Sequence, residues 1–202
     1  MSPAPIEFWF EFSSPYAYFA ALEVDALAAR CGRSVVWRPF LLGVLFRKTG
    51  MAPLTQQPLR GQYARRDWAR LARRRGAPFQ LPAGFPVRTL APARAIYAID
   101  ATAGSQAAGD LAIAFFKALY GDGKDISDPQ VAADIGERCG VARADLLEAM
   151  EAAVWSDVLR ARTAEAERRG IFGSPWVFAD GEPFWGADRL PMVEEWLRRG
   201  GW

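Results

Sequence analysis

The apolar run Ile6-Glu7-Phe8-Trp9-Phe10-Glu11 passes directly into Phe12-Ser13-Ser14-Pro15-Tyr16-Ala17, and no other stretch constrains the fold as strongly. An extended segment this rich in aromatics predicts a strand, at about residues 6–12. Ser-Ser-Pro immediately after it predicts a helix start. A hydroxyl sits at the N-cap and proline at the first helical position, where its missing N–H costs nothing. The chain therefore passes from strand to helix through Ser14, with Ser13 a rival for the same place. A hydroxyl at the positive end of a helix suits an anion brought by another molecule, a thiolate included. By itself it is equally an ordinary N-cap.

The rest of the chain gives that junction its setting. Tyr16, Phe19, Ala20, Leu22, Val24 and Leu27 predict a helix over about 16–31, stopped by Gly32. The β-branched and aromatic segment Ser34–Leu42 predicts a second strand, giving a βαβ unit with parallel strands and a right-handed crossover. No strand is expected between 43 and 168. Arg60 to Arg75 reads as a helix with a basic outer face, Pro78, Pro82 and Pro86 as a loop, and helical patterns recur near 92–103, 105–120, 129–139, 143–151 and 153–169. Ser105–Tyr120 is apolar on most faces and should be the buried centre of this block. After Gly170 the period shortens. Trp176–Ala179 and Glu182–Trp185 flank Asp180-Gly181, a favoured hairpin turn, and a last helix follows with Asp188 as its N-cap.

The order βαβ, helices, ββα predicts an α/β chain: a thioredoxin-like domain from residues 1–42 and 170–202, interrupted by an all-helical insertion over 43–169. Redox proteins of that fold open the first helix with Cys-x-x-Cys. Here the four positions read Ser14-Pro15-Tyr16-Ala17, so no disulfide can be shuttled. A second hallmark of the fold is a cis-proline before the third strand, and Pro175 in Gly173-Ser174-Pro175-Trp176 stands there. A cis bond would expose the backbone groups of Ser174 to an extended peptide; an ordinary trans proline at a strand start is the alternative.

Composition narrows the chemistry. None of the 202 residues is histidine, which removes His-based triads, most zinc sites and the usual general base. Cys31 and Cys139, each before a glycine at a predicted helix end, read as free thiols packed as small hydrophobes. A net charge of +2 with interspersed signs argues against nucleic acid, and the arginine-rich helix reads as a solvated face. No apolar run reaches the ~18 residues of a membrane span, and no secretory signal is evident, which favours the cytoplasm.

Phe12-Ser13-Ser14-Pro15-Tyr16, Leu41-Leu42-Gly43, Lys48-Thr49-Gly50, Ile171-Phe172-Gly173-Ser174-Pro175 and Phe184-Trp185-Gly186-Ala187-Asp188-Arg189-Leu190 together resemble the 2-hydroxychromene-2-carboxylate isomerase family. That family is the bacterial relative of kappa-class glutathione transferases and has a DsbA-like architecture. The resemblance implies a cytoplasmic, commonly homodimeric enzyme that uses glutathione as cofactor. Ser14 would face the glutathione sulfur. Ser174, before Pro175, would pair with the cysteinyl backbone, and Ala187 and Asp188 would hold the γ-glutamyl end. Arg60 stands where a lysine commonly meets the glycyl carboxylate. Met51 departs from the family's asparagine and cannot replace an amide. The implied reaction is cis–trans isomerisation of a small aromatic carboxylate in naphthalene-type catabolism, by thiol addition, bond rotation and thiol expulsion. Arg47, Lys48 and Arg88 are candidate clamps for the substrate carboxylate, each of them equally a surface charge. A kappa-like glutathione transferase or peroxidase is the nearest alternative. A DsbA-like peptide-binding protein without catalysis is the other.

Overall fold

The computed structural model describes residues 3–202. Four strands form one sheet in the order β2-β1-β3-β4: β1 (Ile6–Phe10), β2 (Val35–Pro39), β3 (Trp176–Ala179) and β4 (Glu182–Trp185). β1 and β2 are parallel, with Ile6 opposite Val35 and Phe10 opposite Pro39, whereas β3 runs antiparallel to β1 and β4 to β3. The crossover between β1 and β2 is broken into α1 (Pro15–Ala21) and α2 (Val24–Arg30), where one helix over 16–31 was expected. Leu22 and Glu23 form the break, and the Glu23 carboxylate there is held by Arg75 at 2.5 Å.

Between β2 and β3 come α3 (Leu42–Thr49), α4 (Arg60–Arg75), α5 (Leu90–Phe116), α6 (Pro129–Arg138), α7 (Arg143–Glu151) and α8 (Ala153–Arg168); α9 (Leu190–Arg199) closes the fold. The insertion is all-helical, as its sequence predicts. Two details differ. α3 begins at Leu42, where the second strand was expected to continue. The helices expected at 92–103 and 105–120 run together as α5, which kinks at Gly104 (φ 86°). The positive φ there is open to glycine without steric cost.

Strand alternation assigns the two faces of β1 to two cores. Ile6, Phe8 and Phe10, with Phe12 beyond the strand, enter the larger core shared by α1, α5 and α6. Trp9 enters a smaller one with Phe40, Leu45, Ala166, Ile171 and Phe178. The insertion is thus packed directly on the sheet. Phe12 meets Phe115 and Phe116 of α5 with ring centroids 5.8 and 4.8 Å apart. At Gly109 α5 lies so close to β2 that a Cβ would collide with the Trp37 indole. Where the strands end, their carbonyls need new donors. The Tyr120 hydroxyl donates to the Phe12 carbonyl at 2.8 Å, and the Tyr97 hydroxyl to that of Pro39 at 2.6 Å.

Cys31 and Cys139 are both free thiols. Neither is a core residue, contrary to expectation: each follows the last turn of its helix as C-cap, which leaves Cys31 half-buried and Cys139 exposed. Among the described residues no helix is long and apolar enough to cross a membrane.

Candidate functional site

A cleft of about 1820 Å³ opens where β1 and β2 end, between the head of α1, the Ser174–Pro175 turn and the insertion. Its floor is local in origin. Ser14, in an extended conformation, caps α1: its Oγ accepts from the Ala17 N–H at 3.2 Å, with Pro15 next in line. The same hydroxyl donates to the Ser174 carbonyl at 2.8 Å. The Ser174–Pro175 bond is cis. Ser174 Oγ in turn accepts from the Glu11 N–H at 2.8 Å, and among the described residues the Ser174 N–H has no partner. The two serines, 160 residues apart, therefore meet with both side chains nearly buried.

The Pro175 carbonyl accepts from the Gly186 N–H at 3.0 Å, which brings Ala187 and Asp188 to the same end of the cleft. Trp185 lies flush against Gly173, where a Cβ would strike its indole. Asp188 is not the N-cap of the last helix. Residues Ala187–Arg189 form a separate 3₁₀ turn, which shifts the helix start to Leu190-Pro191 and leaves Arg189 at the cap position. The Asp188 carboxylate is instead turned outward, 74% exposed and 3.4 Å from Arg189.

The opposite wall is assembled from the insertion. Ser13, the rival hydroxyl, donates to the Val87 carbonyl at 2.7 Å, in a loop that contains a second cis bond at Phe85–Pro86. Tyr16 donates to Asp67 of α4 at 3.0 Å; burial first, then Asp67, pushes its phenol well above the ordinary range. Arg60 is the first residue of α4 and lines the cleft, its guanidinium 3.2 Å from Gln57. Before it, exposed Leu59 has φ 64°, and the Arg60 N–H reaches the Pro58 carbonyl at 2.7 Å, a tight turn that strains a non-glycine residue. Arg47, Arg88 and Met51 also line the cleft, and neither arginine forms an ion pair among the described residues. Lys48 does not join them: its ammonium holds Glu167 of α8 at 2.6 Å, away from the cleft.

One site residue was passed over in the sequence. Glu11, 8% exposed, accepts from the Thr89 hydroxyl and the Ser13 N–H at one oxygen and from the Leu42 N–H at the other. Burial raises its pKa above the ordinary value of 4.5 in spite of these donors. The available signal was period-2 alternation, which puts Glu11 on the same face as Trp9 and Glu7, at the end of the expected strand. No cysteine lines the cleft, and no group of metal-ligating side chains occurs among the described residues.

Comparison with known proteins places this geometry. Residues 5–198 match the model of the DSBA-like thioredoxin domain. A 2-hydroxychromene-2-carboxylate isomerase of Sphingobium xenophagum is 28% identical over 194 residues, covering 95% of this chain and 97% of that protein. Glutathione S-transferase kappa 2 of Caenorhabditis elegans is 27% identical over 205 residues, covering 95% and 91%. A solved structure of 2-hydroxychromene-2-carboxylate isomerase superposes with a TM-score of 0.86 at 24% identity, covering 96% of this chain and 94% of that one. With a thioredoxin sheet, a helical insertion and a serine where a redox cysteine would stand, the chain belongs to the DSBA-like thioredoxin domain family.

Proposed function

We propose that this protein is a glutathione-dependent isomerase acting on a small aromatic carboxylate of the 2-hydroxychromene-2-carboxylate type. The observation that carries this reading is the Ser14–Ser174 contact: a cleft hydroxyl at a helix start, 2.8 Å from a backbone carbonyl, beside an N–H with no partner among the described residues. A free N–H and an adjacent carbonyl are the groups with which an extended peptide pairs in strand fashion. Glutathione fits the remaining groups. Asp188 offers an exposed carboxylate to an ammonium, and Arg60 a guanidinium to a carboxylate, the planar fork serving there as well as a lysine.

When bound, glutathione supplies a thiolate that can add to a conjugated ring-opened substrate and leave again after rotation about the resulting single bond. Ser14 would turn its hydroxyl from the Ser174 carbonyl to the sulfur and stabilise the charge there. α1 has seven residues, so this hydroxyl rather than a long helix dipole carries the effect. Arg47 and Arg88 would hold the substrate carboxylate over the apolar part of the cleft; Lys48, engaged with Glu167, is dropped from that role. The protein would act in the cytoplasm as a homodimer, and its domains would divide near residues 42 and 170.

Isothermal calorimetry with glutathione, then an isomerase assay with and without it, tests the proposal. Binding and glutathione-dependent turnover are expected. The kappa-transferase relative favours one second reading, conjugation of glutathione to an electrophile. Binding with conjugation but no isomerisation would select it, and no binding at all would leave the peptide-binding protein.

A further inference from the structure

Four carboxylates line the cleft, and three are committed. Glu23 holds Arg75, Asp67 is shared by Tyr16 and Arg70, and Asp188 lies in the open next to Arg189. Glu11 differs. It is almost fully buried, and no cation lies within ion-pair distance among the described residues. Its donors are all neutral: the Thr89 hydroxyl, the Ser13 N–H at 3.4 Å, the Leu42 N–H at 3.2 Å and the Phe12 backbone N–H. An amide oxygen could accept such donors without the cost of burying a charge. What an acid adds at this position is a proton site.

The position is adjacent to the proposed chemistry. The Glu11 backbone N–H donates to Ser174 Oγ and the Ser174 carbonyl accepts from the Ser14 hydroxyl, so the backbone of Glu11 lies two hydrogen bonds from the N-cap serine, and the two residues line the same cleft. Thr89 and Ser13 donate to Oε1 and Leu42 to Oε2, and the carboxyl keeps acceptor capacity for a proton. A chain without histidine has few other groups to receive one, and Ser14 acts here as a donor.

Resting on the glutathione reading above, we propose that Glu11 is the proton acceptor for the thiol held at Ser14. The Glu11 carboxylate takes the proton as the S–H bond breaks, across one water if need be, and the electron pair stays on sulfur facing the Ser14 hydroxyl. When the thiol is expelled from the product, Glu11 returns the proton, so the cycle leaves no net change. Burial, which raises the carboxyl's pKa, makes it a stronger base than an exposed glutamate. The titratable and charged groups around it are few. Burial and then Glu11 itself push the Tyr120 phenol far up, Glu7 on the same strand face is paired with Arg169, and Arg47 and Arg88 lie on the cleft walls.

The test follows the proton. Glutathione is titrated into the wild-type protein and Glu11→Gln, reading thiolate by its ultraviolet absorbance and proton release by calorimetry in two buffers of different ionisation heat. In the wild type, thiolate should appear while most of the proton stays in the protein. In Glu11→Gln, any thiolate that forms should release its full proton to the buffer. Turnover should fall about a hundredfold or more, with a smaller change in glutathione affinity, and Glu11→Asp should restore part of it. Full proton release from the wild type, or binding without thiolate, overturns the proposal. The wild-type measurement decides even if Glu11→Gln does not fold. Absence of any glutathione binding sinks the underlying functional reading instead, so the two failures are distinguishable.

Discussion

The two sides of the cleft are built differently. On the floor, Ser14 caps the helix that Pro15 begins, and Pro175 and Gly186 bring Ser174 and Asp188 alongside through backbone hydrogen bonds and a hairpin. Each piece is a short motif with its own local geometry. On the far wall, Glu11 gathers the start of α3, the start of α5 and the loop before α1, and Tyr16 reaches α4, all through contacts more than thirty residues apart except Ser13. The floor joins these motifs across 160 residues at the Ser14–Ser174 contact, without drawing on the insertion. The wall exists only once the insertion has packed on the sheet, so it is where substrate choice can vary without loss of the floor.

The strongest challenge to this contrast is the core beneath both sides. Phe12 is fully buried between Phe10 of the sheet and Phe115 and Phe116 of α5. Phe12→Ala should cost about 3–5 kcal/mol, read as a lower urea midpoint. Far-ultraviolet and near-ultraviolet signals should be lost together; separate transitions would mean that floor and wall are independent units.

Next in size is the floor itself. Ser14→Ala should lower glutathione-dependent turnover about ten- to thousandfold, the worth of one hydrogen bond to developing charge, and raise the pKa of the bound thiol. Ser13→Ala should do less, since the Ser13 hydroxyl is spent on Val87. The reverse order would move the reacting hydroxyl to Ser13. Asp188→Asn sharpens the division within the floor. It should weaken glutathione binding by about 1.5–3 kcal/mol, seen by calorimetry, with little change in turnover at saturation.

The smallest effect concerns how the insertion is moored to the sheet. Glu7 of β1 accepts both guanidinium nitrogens of Arg169, at 2.6 and 3.0 Å, and the same guanidinium lies 3.8 Å over the Phe178 ring. Burial acts to raise the Glu7 pKa, but the Arg169 and Trp9 hydrogen bonds outweigh it, and the net shift is downward from 4.5. Stability from this pair is therefore fully present above pH 4.5 and is lost as pH falls through the lower folded value. Glu7→Gln should cost at most about 1 kcal/mol at neutral pH, because both partners are partly exposed, and nothing in strong acid. A gap between variant and wild type that widened on acidification would show the sign to be wrong.

Most of the architecture could be read along the chain, because its signals are local. Asp180-Gly181 between two short apolar runs gave the hairpin, Ser14-Pro15 the head of α1, and Arg60 to Arg75 the bounds of α4. The errors fall where local signals were weak or neighbours overrode them. α3 starts in the middle of an apolar run that reads equally as strand, and Leu22-Glu23 breaks a helix that carries no glycine or proline. Asp188 has the right residue type for an N-cap, but the 3₁₀ turn after Gly186 takes the helix start away from it.

By itself the sequence determined that the strand ends in a hydroxyl-capped helix, that no redox cysteine pair or histidine serves the site, and that a hairpin returns a second serine before proline. These follow from steric and hydrogen-bonding preferences that act over a few residues. Only the tertiary structure decided that Glu11 is a buried carboxyl ringed by neutral donors, that Lys48 faces Glu167 while Arg47 and Arg88 line the cleft, and that Ser13 is occupied by Val87. Desolvation and partner choice depend on what packs across the chain, and no window of neighbouring residues contains that information.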